Sequence, residues 1–315
     1  MPAGYCVVPV SAFTSLERAG VDLFVKDSGD SKPLLLCSKD VKISPERLDR
    51  IRQQETTQLC VRLGDFDRVG RVLRADLDNL LADDSVPPEE RIALLQTAVV
   101  AEIEACFRLV NCEKFVAAAE RIGQQISRLV CDCPILPGPL FKLLRHDAST
   151  FTHVTNVAAY CVLLAKELGI SDEDEIQQIA VAALLHDVGK RHIPAEILNK
   201  TESLTPEEWE VIEQHPRLGY VDLLESESLT EVQRLVAYQH HERIDGRGYP
   251  VRILGDEIHP WSKLTAVVDV FEALTGERPY RLPLSLTDAL DYLRRYAGTQ
   301  FDKEMVGCFV QMMTP

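Results

Sequence analysis

The sequence predicts a mainly α protein: a C-terminal all-helical bundle, preceded by a small α+β domain and joined to it by a helical connector. Three observations carry that reading. Short apolar runs bounded by turn residues, the mark of strands, occur in the first 64 residues. From Phe66 onward apolar residues recur at the three- and four-residue spacing of a helix face. Beyond Cys131–Pro139, which holds three prolines and a glycine, helix-start signals follow one another.

In order along the chain, residues 1–64 read as the α+β domain, a candidate regulatory unit. Val21–Val25 and Pro33–Cys37 flank the turn-rich Asp27–Asp30 segment as a hairpin. Ser44 with Pro45 can start a short helix, and Thr57–Arg62 can return as a strand. The connector spans 65–139. Phe66, Val69, Leu73, Leu77 and Leu80 define its first helix. A second starts after Ser85, with Pro87 and Pro88 in its first turn, and buries Ile92, Leu95, Val99, Ile103 and Phe107. A third carries Phe115, Ala119, Ile122, Ile126 and Leu129 in a heptad-like row, which reads either as plain packing or as a dimer seam. The bundle spans 140–315. Thr205 with Glu208 forms a capping box with Pro206 behind it, and Ser171/Asp174 and Ser285/Asp288 are weaker versions, since aspartate reaches back less well.

Composition narrows the function. The 315 residues are 46% hydrophobic and 26% charged, ordinary for a globular chain of about two domains. The net charge of -15 argues against a nucleic-acid polymer or a membrane surface as partner, both of which call for basic patches. An anionic small ligand stays open, because bound cations reverse the local field. No apolar run is long enough for a membrane helix, and Met1–Val10 lacks the pattern of a secretory signal. Nine cysteines without a CxxC pair read as reduced thiols in a cytoplasmic protein.

The chemistry concentrates in the histidines. Seven of eight lie between His146 and His241. His153 falls on a helix; His186 and Asp187 end the apolar run Ala182–Leu185; His215 falls late in the helix begun by Thr205; His240 and His241 end another helical run; Asp269 sits in the apolar stretch Ala266–Val270. Taken singly, a helical histidine reads as a core or surface group. Together, five histidines and two aspartates on successive helices suit a bundle interior in which facing helices present metal ligands. Imidazole and carboxylate donors suit iron, manganese, zinc or nickel, and the absence of thiolates from the pattern argues against a structural zinc site.

Two motifs carry a family resemblance. His186-Asp187-Val188-Gly189-Lys190 resembles the HDxGK signature of HD-superfamily phosphohydrolases, and HHERIDGRGYP, His240 to Pro250, resembles the HHExxDGxGYP signature of the HD-GYP subfamily. Arg278-Pro279-Tyr280-Arg281 is similar to that subfamily's RPYR element, and the resemblance spans about Leu140 to Met313. It implies a helical domain that hydrolyses cyclic di-GMP to pGpG, and in some cases onward to GMP, with a cluster of iron or manganese ions. Position by position, His153, His186, Asp187 and Asp269 would hold one metal. Asp187 would bridge to a second held by His215, His240 and His241. Lys190 would contact the scissile phosphate, Arg278 would hold another part of the ligand, and the Gly246–Pro250 loop would border the site. Some members add a third metal through a glutamate that is Ser149 here, so two divalent transition metals per chain are expected. His146 is a weak substitute, and Asp147 suits a helix cap. The same resemblance implies a contact between the Gly246–Pro250 loop and a diguanylate cyclase.

These residue types suit the reaction. Two metals roughly 3.5–4 Å apart can bind both the attacking and leaving oxygens of a phosphodiester displacement, and a water between them loses its proton near neutral pH. The two carboxylate oxygens of Asp187 suit a bridge, and the Lys190 ammonium can offset charge on the phosphoryl oxygens. Gly246 and Gly248 permit unusual backbone angles, and Tyr249 offers a stacking face to a guanine or a partner protein. Asp245, Gly246, Gly248 and Tyr249 therefore read as substrate-binding candidates and equally as a tight turn. His192 and His259 fit no ligand position. Two alternatives remain: a cyclic di-GMP receptor with little turnover, and an HD hydrolase acting on another cyclic dinucleotide or on a nucleotide.

Overall fold

The computed structural model of the chain describes all residues except 1–4, 14–19, 27–32, 43, 45, 47–49, 51–57, 84–85, 108–111, 133–149, 277–281 and 315. The chain forms two compact units, Met1–Ala105 and Cys106–Pro315. The fold is mainly α, with one small antiparallel sheet in the first unit.

In the first unit, β1 (Tyr5–Val7), β2 (Leu23–Lys26), β3 (Leu34–Cys37) and β4 (Gln58–Arg62) make a sheet of order β1-β4-β2-β3. The expected hairpin is β2–β3, with Val25 opposite Leu34, and the expected return strand is β4. Strand β1 was not foreseen, because three residues are too few to show alternation. The Asp27–Asp30 turn lies outside the described residues, as does most of the helix expected after Ser44. Helix α1 (Phe66–Ala82) buries Phe66, Val69, Leu73, Leu77 and Leu80, the whole row its spacing marked. Helix α2 (Pro88–Phe107) starts where its prolines fit: the Pro87 carbonyl accepts from the Glu90 and Arg91 N–H groups, and Pro88 sits where a missing N–H costs nothing. Leu95 and Val99 are buried as expected, while the side chains of Ile92, Ile103 and Phe107 lie outside the description.

The second unit is helical. It contains α3 (Cys112–Asp132), α4 (Thr150–Glu167), α5 (Glu173–Leu185), α6 (Ala195–Leu198), α7 (Pro206–Ile212), α8 (His215–Leu223), α9 (Glu231–Gln239), α10 (Pro260–Thr275), α11 (Leu286–Tyr296) and α12 (Lys303–Met313). Helix α3 packs against α4 and α5, so the 65–139 segment divides between the two units. Its heptad-like row of Phe115, Ala119, Ile122, Ile126 and Leu129 is buried within the chain, the plain-packing reading of that pattern. Gly123 marks the closest approach: a Cβ there would stand 2.6 Å from the Val181 side chain on α5.

Two local expectations are corrected. The cap of α5 is Asp172, not Ser171: the Asp172 carboxylate accepts from the Glu175 N–H at 2.7 Å, and charged acceptors satisfy an orphan helix donor better than a hydroxyl. His215 does not lie late in the helix begun by Thr205. That helix, with its capping box intact, ends at Ile212, and His215 opens α8, because Pro216 has no N–H to continue the earlier ladder but fits a new first turn. Ser285 caps α11 as expected.

Tyr160 on α4, Phe271 on α10 and Phe309 on α12 meet edge-to-face with centroids 4.8–6.2 Å apart. Each such pair adds about 0.5–1.5 kcal/mol beyond area burial. Tyr160 lies two turns from His153 and Phe271 two residues from Asp269, so this core fixes the helices that carry those side chains. Among the described residues no helix is long and apolar enough to cross a membrane.

Candidate metal centre

Five elements aim polar side chains at one buried point. Helix α4 supplies His153, the end of α5 supplies His186 and Asp187, α8 opens with His215, α9 ends at His240 and His241, and α10 supplies Asp269. All but His241, which is partly exposed, are buried. They fall into two clusters: His153, His186 and Asp269 in one, Asp187, His215, His240 and His241 in the other. All seven positions named from the sequence are thus brought together.

Asp187 joins the clusters through its two oxygens. Its Oδ2 lies 3.4 Å from His186 Nε2 and 3.7 Å from His153 Nε2; its Oδ1 lies 3.3 Å from His215 Nε2 and 3.8 Å from His240 Nε2. Asp269 faces His153 at 3.0 Å through Oδ1 and His241 at 3.9 Å through Oδ2. The tight turn Val188–His192 carries Asp187 against α8, and it can do so because Gly189 and Gly219 face each other. A Cβ on Gly189 would stand 2.0 Å from the His215 carbonyl oxygen.

The donor set fits divalent metals. His186, His215 and His240 donate Nδ1–H to the carbonyls of Ala183, Ile212 and Ala237 at 2.6, 2.7 and 3.0 Å, which leaves each Nε2 with its lone pair pointing into the centre. His215 Nε2 and His240 Nε2 then face each other at 3.3 Å, two acceptors converging beside Asp187 Oδ1. His186 Nε2 and Asp187 Oδ1 are fully buried without a hydrogen-bond partner. Buried acceptors left this way carry a desolvation cost of about 1–3 kcal/mol each, and a cation among them removes it. Nitrogen and oxygen donors without thiolate suit iron, manganese or zinc.

Electrostatics agree with that assignment for His240, His241 and the two aspartates. Burial, reinforced by the neighbouring imidazoles, pushes His240 well below the ordinary histidine range and His241 down to about 3, so both stay neutral donors. Burial opposes ionisation of Asp187, but Lys190 and His186 outweigh it and hold the carboxyl well below its usual value. Asp269 is held down in the same way by His153. His153 differs: burial opposes its charge, yet the Glu272 and Asp269 carboxylates lift it to about 9, so a metal taking its Nε2 must displace a proton.

The remaining candidates are placed as follows. Lys190 reaches back to Asp187 Oδ2 and is partly exposed. In the loop after His241, Gly246 adopts φ of +72°, and a Cβ on Gly248 would stand 2.5 Å from the backbone of residues 241–243, so both glycines are required by the turn. The Tyr249 ring lies against His241 at 4.7 Å between centroids. Asp245 forms a two-pronged pair with Arg243 at 2.7 and 3.0 Å and accepts from the Arg247 N–H. Arg278 and the rest of the RPYR element lie outside the described residues, as do His146, Asp147 and Ser149. His192 bonds to Asp222, and His259 caps α10.

Three supporting residues were missed. Glu272 binds His153 Nδ1 and accepts from Asn156 Nδ2 at 3.0 Å. Buried Glu242 accepts from the Val251 and Arg252 N–H groups at 2.7 and 3.0 Å and ties down the loop. A signal for the first pair was available: Asn156 and Glu272 lie three residues, one helical turn, beyond His153 and Asp269.

Comparison with known proteins follows the same lines. The family model described as HD domain matches residues 137–305, more than half of the chain. The cyclic di-GMP phosphodiesterase response regulator RpfG of Xanthomonas campestris is 39% identical over 166 residues, covering 52% of this chain and 44% of that protein. The 3'3'-cGAMP-specific phosphodiesterase 2 of Vibrio cholerae is 39% identical over 158 residues, covering 50% of this chain and 30% of that protein. The chain thus spans about half or less of these relatives' length. Bd1817, a HDG"Y"P protein from Bdellovibrio bacteriovorus, shares the fold with a TM-score of 0.68 at 18% identity, covering 98% of this chain and 99% of that one.

Proposed function

The chain belongs to the HD domain family, and from that premise we propose that it is a metal-dependent phosphodiesterase that hydrolyses cyclic di-GMP to pGpG. The observation that carries this reading is the Asp187 carboxylate, which turns one oxygen to each histidine cluster, with its Oδ1 and the neighbouring His186 Nε2 buried without a hydrogen-bond partner. His153, His186, Asp187 and Asp269 would hold one metal, and Asp187, His215, His240 and His241 the other, with iron or manganese as the ions. When bound, such a pair supplies charge neutralisation for the attacking and leaving oxygens of a phosphodiester.

The chain's own residues supply the rest. Lys190, partly exposed beside Asp187, is placed to offset charge on the scissile phosphate. Tyr249 and the turn built by Asp245, Gly246 and Gly248 form one wall of the site, and Arg278 is assigned to the distal part of the ligand. The metals would also counter the net charge of -15 for an anionic dinucleotide. Further hydrolysis to GMP belongs to the same reading. So does a cytoplasmic setting, supported by the described cysteines being free thiols. A homodimer through the connector would use faces other than the α3 row, which its own chain covers. Exposed Val251 and Leu254 beside the Gly246–Pro250 loop support a diguanylate cyclase contact there.

A second substrate is favoured by one observation: relatives of equal similarity include 3'3'-cGAMP-specific phosphodiesterases. The test is metal content together with turnover of cyclic di-GMP and 3'3'-cGAMP, on protein purified without oxygen and reconstituted with iron or manganese. Two metals per chain and pGpG formation, both lost in His186→Ala and Asp187→Ala, are expected. Preference for 3'3'-cGAMP would move the substrate assignment, metals with ligand binding but no turnover would make the chain a receptor, and no bound metal would overturn the site.

A further inference from the structure

We propose that Glu272 makes the two metal positions unequal, by giving His153 a carboxylate partner where His215 and His240 of the other cluster have backbone carbonyls. This rests on the metal centre proposed above. Glu272 lies on α10, one turn beyond Asp269, so a single helix face meets both nitrogens of the His153 ring: Asp269 stands 3.0 Å from Nε2, and Glu272 binds Nδ1. Asn156, one turn beyond His153 on α4, donates to the other Glu272 oxygen at 3.0 Å. The three side chains close a ring between α4 and α10, each at least nine-tenths buried.

The other imidazoles are served differently. His186, His215 and His240 each donate Nδ1–H to the backbone carbonyl three residues earlier in the chain. His241 Nδ1 stands 3.9 Å from Asp269, beyond hydrogen-bond reach. A carboxylate behind a ligating histidine raises its basicity and fixes its ring more strongly than a neutral carbonyl does. The dry interior adds to the effect, because charge-assisted hydrogen bonds strengthen where water is excluded. Glu272 is therefore a positioning residue. The position formed by His153, His186 and Asp269 receives the stronger donor set, fills first and holds its ion more tightly, while the position formed by His215, His240 and His241 is the exchangeable one.

The experiment is a stepwise titration of the full chain with Mn²⁺ under chelator competition, with unbound Mn²⁺ followed by its EPR signal. Wild-type protein is expected to bind in two separable steps, and His153→Ala identifies the step that belongs to the first position. Glu272→Gln keeps the shape and removes the charge; it is expected to weaken that step by about 10–100-fold and leave the other unchanged. Asn156→Ala is the second variant, expected to weaken the same step less, and it decides the matter if Glu272→Gln does not fold. Two equal steps in the wild type, unchanged steps in the variants, or equal weakening of both steps would each overturn the proposal. Absence of any Mn²⁺ binding by the wild type would instead overturn the metal centre itself.

Discussion

Gly189→Ala is the perturbation that tests the geometry of the site most directly. The added Cβ would stand 2.0 Å from the His215 carbonyl oxygen and 2.5 Å from the Gly219 nitrogen, backbone atoms that no rotamer change can move aside. Ordinary contact to either requires the Val188–His192 turn and α8 to separate by at least about 1 Å. Asp187 precedes that turn, and His215 opens α8 with its Nε2 3.3 Å from Asp187 Oδ1. Catalytic constellations tolerate only about 0.5 Å of displacement, so the bridge across the two clusters should fail. Overpacking of this kind costs about 1–3 kcal/mol, which lowers Tm by about 4–8 °C for about 2 kcal/mol in a unit of this size. The assay is thermal unfolding together with metal content. Gly307→Ala is the control: its Cβ meets nothing within 4 Å on an exposed helix face, and the change should stabilise by up to about 1 kcal/mol with metal content unchanged. A Gly189→Ala protein with wild-type Tm and two metals per chain would refute the close-approach argument.

Three further outcomes are expected. Lys190→Ala, which removes an ammonium beside Asp187 but no ligand, should retain metal while kcat for cyclic di-GMP falls about 100-fold or more; a change in KM alone would remove Lys190 from the chemistry. Glu242→Gln weakens the charge-assisted bonds to Val251 and Arg252, a loss of about 1.5–3 kcal/mol, and should expose the 245–254 loop to limited proteolysis; wild-type resistance would assign the loop's order to its glycines alone. Asp245 is held below the usual aspartate value of 3.8 by its hydrogen bond to Arg243. Because the folded value is the lower one, its stabilisation is complete above the unfolded value and disappears as pH falls through the folded one. Wild-type Tm should therefore drop relative to Asp245→Asn only below about pH 4, and a constant difference down to pH 2 would refute the pairing.

The legible parts of the chain were those in which a local rule and the tertiary structure agree. The capping box at Thr205, the Ser285 cap and the apolar row of α1 each carry their own start or face in the sequence, and each stands where its pattern put it. The seven residues of the two clusters could be named because they occupy single points on successive helices. Glu272 and Asn156 carried only a one-turn spacing from Asp269 and His153, which looks the same whether a side chain faces water or the centre, and Glu242, next to His241, carried no spacing signal of its own. The break between α7 and α8 was missed for a related reason: the apolar spacing continues through His215 while Pro216 interrupts the hydrogen-bond ladder.

Periodicity states that a helix face is covered and is silent about what covers it. The α3 row has the spacing of a coiled-coil seam, and the same spacing serves a helix seated in a groove of its own chain. What separates the two is a residue outside the row. Gly123 removes the Cβ that would otherwise meet Val181 at 2.6 Å, which lets α3 approach the α5 backbone more closely than a side-chain-mediated seam allows. Because His186 and Asp187 directly follow α5, that contact seats α3 on the helix that delivers the carboxylate standing between the two clusters. A side chain at position 123 would therefore be expected to disturb the centre through α5. Gly123→Val should lower metal occupancy without touching a ligand, measured as metal per chain against the wild type, and unchanged occupancy would show that the α3–α5 contact supports the bundle alone.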